Sequence, residues 1–428
     1  DGEDISAHPC ETILQAAQRH GVEIPHLCYT DGMREDGNCR ACVVEIKGER
    51  VLAPSCCRKP TAGMEVKAAS ERARHSQRMV LELLLADAPP IPHRPDSELT
   101  EWAKHLGVSR SRFPSRAQPV EDYSHPGIEV RLDACIQCTR CVRACREVQV
   151  NDVIGYAYRG ADAKIVFDFD DAMGESTCVG CGECVQACPT GALLPVLKSG
   201  QSGSRANNGQ SGNRAVGQSG NGASATASVK PASGWTLPTA VVPSLCPYCG
   251  VGCQTNYEVR DNTILRVTGR DGPANHERLC VKGRFGFDYV HHPQRLTKPM
   301  IRRAGVPKDP HNLVDPADPW SAFREASWDE ALEAAAAGLR RVKEQHGSSA
   351  MAGFGSAKGS NEEAYLFQKL VRVGFGTNNV DHCTRLCHAS SVAALMEGLN
   401  SGAVSNQVAD VQHADVIFII GANPTVNH

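Results

Sequence analysis

The 428-residue chain lacks three features that mark common classes of protein. No apolar run approaches the ~20 residues of a membrane-spanning helix, so the sequence predicts no membrane association. The net charge is only -3, with 45 basic against 48 acidic residues, which leaves no electrostatic footprint for nucleic acid. The motif G-x-G-x-x-G is also missing, so glycines at the ends of apolar segments are only a weak indication of a dinucleotide site.

Cysteine, by contrast, is abundant. The chain has 20 cysteines, and sixteen of them fall into four groups with the spacing of metal or cluster ligands. A secreted disulfide framework would be shorter and less regularly spaced, so this usage predicts a reducing, cytoplasmic location. The length and the 41% apolar content predict three or four modules with ordinary cores.

The first cysteine group falls in a predicted module of residues 1–68, with intervals of ten, two and thirteen residues. Its members are Cys28, Cys39, Cys42 and Cys56. This pattern indicates a [2Fe–2S] cluster, and a short helix over 12–20 with a strand over 41–46 predicts a β-grasp ferredoxin. Cys57 competes with Cys56 as the fourth ligand. The closing segment resembles the large iron–sulfur subunit of respiratory complex I, and the resemblance favours Cys56.

Residues 69–129 are predicted to form a helical connector. We expect a buried helix over 76–85 that ends at a proline-rich run. The complex I subunit has a histidine and three cysteines in this region, where they hold another [4Fe–4S] cluster. Here no cysteine occurs between Cys57 and Cys135, so that cluster is expected to be absent. His75 and His93 are interpreted as surface or core histidines.

Residues 130–198 hold the most specific pattern, two copies of C-x2-C-x2-C-x3-C. The first copy is Cys135, Cys138, Cys141 and Cys145, and the second is Cys178, Cys181, Cys184 and Cys188. Two consecutive tetrads of this kind do not fit a zinc ribbon. The repeat resembles bacterial two-cluster ferredoxins, and the resemblance implies that the fourth cysteines cross over. One [4Fe–4S] cluster would have Cys135, Cys138, Cys141 and Cys188 as ligands, and the other Cys178, Cys181, Cys184 and Cys145.

A predicted flexible linker over 199–234, rich in Gly, Ser, Asn and Gln, precedes a cluster domain over 235–300. The cysteines of this domain have the pattern C-x2-C-x3-C-x26-C, and they are Cys246, Cys249, Cys253 and Cys280. A tight triplet with one remote cysteine suits a [4Fe–4S] cluster better than a structural zinc ion, which usually has two C-x2-4-C pairs. Lys282 follows the last ligand, where its charge would favour the reduced, more negative cluster.

Residues 301–428 alternate between predicted helices and strands, which indicates the start of an α/β domain. The helices are expected over 328–344 and 362–373, and the strands over 351–355 and 415–421. The last strand is continuously apolar, as in a buried parallel sheet, and it needs neighbours that the sequence does not supply. We therefore expect the sequence to be an N-terminal portion of a longer subunit.

The segment 382–391, together with 279–286 and 376–379, closely resembles the molybdenum- or tungsten-dependent formate dehydrogenases. The ferredoxin modules resemble the catalytic subunit of the cytoplasmic, NAD-linked branch. The resemblance implies one [2Fe–2S] cluster, three [4Fe–4S] clusters and a Mo or W bis-(molybdopterin guanine dinucleotide) centre. It also implies oxidation of formate to CO2, with CO2 reduction as the reverse direction, and a flavin- and NAD-binding iron–sulfur partner subunit.

The same resemblance implies which residues meet the metal centre. Cys387 is in the place of the metal-ligating cysteine or selenocysteine, and the adjacent His388 can transfer a proton near neutral pH. Lys282 is expected between the cofactor and the nearest cluster, while Gly421 and Asn423 are candidate contacts of the dinucleotide. On spacing alone Cys387 would be interpreted as a small buried hydrophobe, so its assignment depends on the resemblance.

Two other functions share parts of this pattern. An electron-relay subunit of a complex I-type NADH dehydrogenase or a hydrogenase has the [2Fe–2S] module and a degenerate α/β domain without the metal cofactor. Periplasmic nitrate reductase shares the third cysteine domain and a metal-ligating cysteine, but it lacks the N-terminal ferredoxins. The presence of Cys387 and His388 beside an intact cluster domain argues against a pure relay.

Overall fold

The computed structural model describes residues 1–196, 236–292, 295–309, 311, 314–315, 318–356, 358–402 and 406–421. The predicted linker over 199–234 lies outside these residues. The chain divides into two compact units. Unit 1 comprises Asp1–Pro243, Asn256–Gly269 and Arg278–Phe285, and unit 2 comprises Ser244–Thr255, Arg270–Glu277 and Gly286–His428. No helix in the described part of the chain is long and apolar enough to cross a membrane.

The first module of unit 1 has one helix and a small antiparallel sheet. Its elements are α1 (Ile13–Arg19), β1 (Val43–Ile46), β2 (Ala53–Pro54) and β3 (Val66–Lys67). Strand β1 lies between β2 and β3. Helix α1 begins after Thr12 because the side chains of Thr12 and Gln15 each accept a hydrogen bond from the other residue's amide. Leu14 and Val44 are fully buried in the apolar cluster that joins the helix to the sheet.

Two helices form the connector, α2 (Glu71–Asp87) and α3 (Glu98–His105). Helix α2 starts earlier than the predicted 76–85 because the Ser70 side chain caps its first turn. It ends where Ala88, which precedes a proline, turns extended. The sequence pattern did not predict α3. Its Leu99 packs with Leu81 of α2 in a second buried cluster, so tertiary packing supports this short helix.

The second module of unit 1 has two antiparallel strand pairs and two short helices. Its elements are β4 (Ile128–Val130), α4 (Arg140–Arg143), β5 (Ile154–Ala157), β6 (Lys164–Phe167), α5 (Glu183–Ala187) and β7 (Leu193–Pro195). The first strand pairs with the last, β4 with β7, while β5 pairs with β6. Helix α4 continues as a turn of π-helix over Ala144–Val148. Ile128, Ile165 and Leu193 are nearly fully buried in the core that these elements share.

Three strands follow, β8 (Ala240–Leu245), β9 (Gln254–Arg260) and β10 (Thr263–Gly269). They form a sheet in the order β10-β9-β8. A short helix, α6 (Val281–Phe285), belongs to unit 1 and directly follows Cys280.

Unit 2 continues with alternating strands and helices. Its elements are β11 (Met300–Arg302), β12 (Phe323–Glu325), α7 (Trp328–His346), β13 (Gly353–Gly355), α8 (Asn361–Lys369), β14 (Val380–His382), α9 (Thr384–Cys387) and α10 (Ala389–Leu399). Strands β13 and β14 are parallel and α8 lies between them in sequence, which is the connection of an α/β domain. Gly355 pairs with His382, so both strands end at the same edge.

One predicted element is wrong. Residues 415–421 form no strand in the described part of the chain, and Val416 and Phe418 are 85% and 83% exposed. A strand requires a neighbour that pairs with its backbone N–H and C=O groups. Apolar character without such a neighbour is therefore not sufficient to form the element.

Candidate iron–sulfur and cofactor sites

The first cysteine group, called the [2Fe–2S] group below, comes together in a loop of the first module. Its members are Cys28, Cys39, Cys42 and Cys56. Three of them are 1% exposed or less, and Cys39 is half-buried. Hydrogen bonds from the thiols of Cys39 and Cys56 lower the pKa of Cys28, and a hydrogen bond with Cys56 lowers that of Cys42 to about 7. The four sulfurs therefore converge on one site.

The geometry favours Cys56 over Cys57 as the fourth member. Ser55 lies opposite Cys42, and both its amide and its hydroxyl donate to the Cys42 carbonyl, at 3.1 and 2.7 Å. The next residue, Cys56, is thereby directed at the other sulfurs. Cys57 is exposed and lies against Gly37, where an added Cβ would be 2.7 Å from the Cys57 sulfur.

The four cysteines of site A come from both copies of the ferredoxin repeat. They are Cys135, Cys138, Cys141 and Cys188. All four line one small pocket, together with Pro189 and Thr190. The pairing of β4 with β7 explains this meeting, because it brings the end of the second copy beside the start of the first.

Site B is the reciprocal set, Cys178, Cys181, Cys184 and Cys145. Burial raises the pKa of Cys184 well above its usual value, and the neighbouring Cys181, Cys178 and Cys145 add to this effect. The Cys145 sulfur accepts a hydrogen bond from the Val153 amide at 3.4 Å, and the Cys178 sulfur accepts one from the Gly180 amide at 3.4 Å. The structure thus brings together the residues that the ferredoxin resemblance implied for both crossed sites.

Buried arginines adjust the charge at site A. Burial raises the pKa of Cys135 to about 11 and that of Cys138 to about 12. The charges of Arg116, near Cys135, and of Arg140, near Cys138, act in the opposite direction. A cluster binds thiolates, so the nearby cations favour the protonation state that ligation requires.

The donor chemistry of these groups fits iron–sulfur clusters. Among the described residues, no three His, Cys, Asp or Glu side chains lie close enough to share a single metal ion. A cluster core is larger than an ion, and its cysteine ligands stand further apart. Sets made only of soft sulfur donors suit such a core.

The cysteines of the third cysteine domain belong to different units and are described separately. Cys246, Cys249 and Cys253 belong to unit 2, where the Cys246 amide donates to the Cys253 carbonyl at 2.9 Å. Cys280 belongs to unit 1, is exposed, and precedes α6, on which Lys282 is half-buried. Ligation by the complete tetrad, and the place of Lys282 beside it, stay predictions.

A buried ion pair ties α6 to site B, and the sequence analysis did not find it. Arg284 and Glu183 form this pair with side chains only 5% and 4% exposed. The Arg284 Nε also donates to the Cys181 carbonyl at 2.7 Å, and the Leu279 amide donates to Glu183 at 3.2 Å. The only sequence signal for this pair was that Glu183 and Arg284 are charged residues within or next to cysteine motifs. Nothing local indicated that Arg284 and Glu183, 101 residues apart, would meet.

Cys387 ends α9, one turn after β14, and His388 separates α9 from α10. Both residues are exposed, and their amides donate to the carbonyls of Cys383 and Thr384 at 3.1 and 2.9 Å. They therefore follow the carboxyl end of a parallel strand, where α/β folds bind ligands. An accessible thiol at that edge fits a cofactor that needs a soft ligand.

Of the two candidate dinucleotide contacts, Gly421 has a φ of +62°, the left-handed conformation that glycine adopts without strain. Asn423 lies outside the described residues.

Of the two histidines that were expected to lie at the surface or in the core, one is exposed and the other is half-buried. His75 is exposed, and His93 is half-buried with its Nε2 2.9 Å from Asp133.

Family comparisons identify the second half of the chain. Residues 239–292 match the molybdopterin oxidoreductase Fe4S4 domain, and residues 295–428 match the molybdopterin oxidoreductase family. The chain belongs to the molybdopterin oxidoreductases. In this molybdopterin oxidoreductase, residues 1–71 match a 2Fe-2S iron–sulfur cluster binding domain. Residues 125–194 match the ferredoxin-like domain of NADH-quinone oxidoreductase subunit 3.

The chain is also similar to individual proteins of known sequence and to one solved structure. The "Putative formate dehydrogenase" of Staphylococcus haemolyticus is 30% identical over 441 residues, and the "Probable oxidoreductase YjgC" of Bacillus subtilis is 30% identical over 447. Each match covers all of this chain and 43% of the relative, so the chain spans less than half the length of these relatives. The crystal structure of an NAD+-reducing [NiFe]-hydrogenase is 29% identical, with a TM-score of 0.43, over 48% of this chain and 88% of that one.

The comparisons confirm the predicted family and fold class, including the [2Fe–2S] domain, the ferredoxin-like [4Fe–4S] domain and the start of the molybdopterin domain. The number of clusters, the guanine dinucleotide form of the cofactor, the individual ligands and the predicted domain boundaries stay predictions for this molybdopterin oxidoreductase. The cytoplasmic location stays a prediction as well.

Proposed function

We propose that this molybdopterin oxidoreductase oxidises formate to CO2, and reduces CO2 in the reverse direction, at a Mo or W bis-(molybdopterin guanine dinucleotide) centre. The observation that carries the proposal is the combination, in one chain, of a molybdopterin domain with three convergent cysteine groups in unit 1. Two-electron chemistry at a metal needs an exit for single electrons, and those groups supply one. The names of the relatives support formate as the substrate.

The proposed roles follow from residue chemistry. Cys387 would give the metal a soft thiolate ligand, and the bound centre would supply the acceptor for the two electrons of the formate C–H bond. His388 would orient the anionic substrate or move its proton. Lys282 would stabilise the reduced cluster of the third cysteine domain, while Gly421 and Asn423 would contact the dinucleotide.

We further propose a flavin- and NAD-binding iron–sulfur subunit as the electron acceptor. Each cluster passes electrons singly, whereas NAD accepts a hydride, so a flavin must collect two electrons first. The [2Fe–2S] group is the expected docking end, because it lies in a loop of the first module, furthest along the chain from Cys387. The match of residues 125–194 to a subunit of an NADH-linked enzyme supports this direction of flow.

Substitution of Cys387→Ala in the full-length protein tests the catalytic proposal. Formate-dependent reduction of a one-electron dye should collapse, because the metal loses its protein ligand. Iron should stay at about fourteen atoms per chain, the content of one [2Fe–2S] and three [4Fe–4S] clusters. His388→Ala should lose about 10²–10⁴-fold if the imidazole acts as a general acid or base.

Cys383→Ala is the matched control, because Cys383 is also an exposed cysteine and lies one turn earlier. It should keep its activity. Substantial formate turnover by Cys387→Ala would show that Cys387 is not the ligand.

The match to NADH-quinone oxidoreductase subunit 3 also favours a second candidate, an electron-relay subunit of a complex I-type NADH dehydrogenase or a hydrogenase. Metal analysis of the full-length protein separates the two functions. About one Mo or W atom per chain supports the enzyme, and a protein with iron alone supports the relay.

A further inference from the structure

Two buried arginines join the [2Fe–2S] group to site A. Arg140 and Arg143 lie on α4, among the cysteines of the first ferredoxin copy, and are 4% and 3% exposed. The Arg143 Nη2 donates to the Cys28 carbonyl at 2.5 Å and to the Cys138 carbonyl at 3.4 Å. The Arg140 Nη2 donates to the Tyr29 carbonyl at 2.5 Å. The Arg143 guanidinium therefore contacts the backbone of Cys28 in the [2Fe–2S] group and of Cys138 in site A.

Arg143 and Arg140 differ in whether a carboxylate pairs with their positive charge. Arg140 has a carboxylate partner in Glu98, at 2.7 Å. Within the described residues no carboxylate pairs with Arg143, whose acceptors are the carbonyls of Cys28, Arg34 and Cys138. These carbonyls accept hydrogen bonds from the Nη atoms of Arg143 but do not neutralise its charge. A positive charge therefore remains buried between two sets of sulfur donors, where few water molecules can screen it.

The Nε atoms of both arginines give a second, independent indication. Each is buried without a hydrogen-bond acceptor among the described residues. Native proteins seldom bury an N–H group of a charged side chain without a partner. Two such donors beside the two cysteine groups are consistent with sites that an anionic group completes.

We propose that Arg143 is the positioning residue that couples the [2Fe–2S] cluster to the site A cluster. It holds the Cys28 loop against α4 and keeps one positive charge between the two clusters. The step it serves is the transfer of one electron from a reduced cluster to an oxidised neighbour, with no bond made or broken. This inference rests on the proposed electron-transfer function. Because the connector has no cysteine cluster of its own, Arg143 would link the [2Fe–2S] cluster directly to the site A cluster.

More exposed contacts at the same place provide a control. Arg34 lies on the Cys28 loop, and its Nη2 is 3.0 Å from Glu147 with side chains 60% and 32% exposed. Water screens such a pair, so it contributes little. Arg34→Gln removes an arginine side chain from the same interface but leaves the Arg34 carbonyl that accepts from Arg143.

The test compares Arg143→Gln, Arg143→Lys and Arg34→Gln with the native full-length holoenzyme. Reduction by dithionite replaces formate, so the readout does not depend on the proposed substrate. Redox titration followed by electron paramagnetic resonance gives the midpoint potential of each cluster. Power saturation of the [2Fe–2S] signal, with its neighbour reduced, reports their magnetic coupling.

Arg143→Gln should shift both midpoint potentials to more negative values, because the lost cation no longer stabilises the reduced states. Its [2Fe–2S] signal should saturate at lower power as the two clusters separate. Arg143→Lys should recover part of the potential shift, since it keeps a charge but loses the second donor nitrogen. Arg34→Gln should match the native protein in both measurements.

Native potentials and native saturation in an iron-replete Arg143→Gln protein would overturn the proposal. If Arg143→Gln fails to assemble its clusters, the Arg143→Lys variant is used to test the proposal instead. An assembled lysine variant with the saturation of the native protein would mean that the forked contacts of Arg143 do not set the coupling. A shift of equal size in Arg34→Gln would assign the effect to surface charge.

Discussion

Sites A and B have the same cysteine spacing and share one core, yet their charged surroundings differ. Three arginine–carboxylate pairs surround site A, with the cation more buried than the anion in each. The pairs are Arg94 with Asp96, Arg116 with Asp87 and Arg140 with Glu98. The arginine side chains are 17%, 9% and 5% exposed, and the carboxylates 41%, 36% and 39%. At site B, Arg284 and Glu183 are equally buried.

This difference predicts unequal clusters. Water screens the outer carboxylates of site A more than the inner arginines, so a positive field remains at its sulfurs. Arg94, for example, donates to the Cys188 carbonyl at 2.8 Å. At site B the buried Glu183 offsets Arg284. The site A cluster should therefore be the easier of the two to reduce, and spacing alone could not have distinguished them.

The largest expected effect comes from breaking the crossed ligation. Cys188→Ala should remove the site A cluster, about four irons, although Cys188 belongs to the second cysteine run. Its paramagnetic resonance spectrum should equal that of Cys135→Ala, while Cys145→Ala and Cys178→Ala should share the other spectrum. If Cys188→Ala instead has the spectrum of Cys178→Ala, each run binds its own cluster and the crossed ligation is wrong.

Glu183→Gln should have the next largest effect, because it leaves the buried Arg284 without its counter-charge. We expect a loss of about 3–5 kcal/mol in the free energy of unfolding, measured with denaturant and circular dichroism. The midpoint potential of the site B cluster should rise, since the remaining cation stabilises the reduced state. Glu175→Gln, at an exposed position of the same module, is the control and should change neither quantity. A fully stable Glu183→Gln protein would contradict the role given to this pair.

Glu98→Gln should have the smallest effect. The carboxylate is 39% exposed and already solvated, so its loss should cost no more than about 1 kcal/mol in the free energy of unfolding. The site A potential should rise slightly in a redox titration, as the inner Arg140 loses its partner. A destabilisation as large as that of Glu183→Gln would mean that the outer carboxylates of site A are not screened, and the comparison of the two sites would fail.

Local patterns predicted much of this molecule. Ligand spacing located the cysteine groups. Composition located α7 to within two residues, and amphipathic character located α8 to within four, while the predicted helix over 76–85 covers the middle of α2. The pairs Arg284 with Glu183 and Arg143 with the Cys28 carbonyl escaped prediction, because contacts between distant residues leave no periodic signal in either segment. The strand predicted over 415–421 was wrong for the opposite reason. Its local signal was strong, but a strand is defined by a neighbour.

The predicted exchange of Cys145 and Cys188 between the two ferredoxin sites also bears on biosynthesis. With these ligands, a nascent chain that ends before residue 188 offers site A only three of its four cysteines. Site B likewise draws on a cysteine made before the rest of its own run. Under this predicted ligation, neither run of four cysteines supplies a complete site by itself. Complete ligation would then require synthesis through residue 184 for site B and through residue 188 for site A.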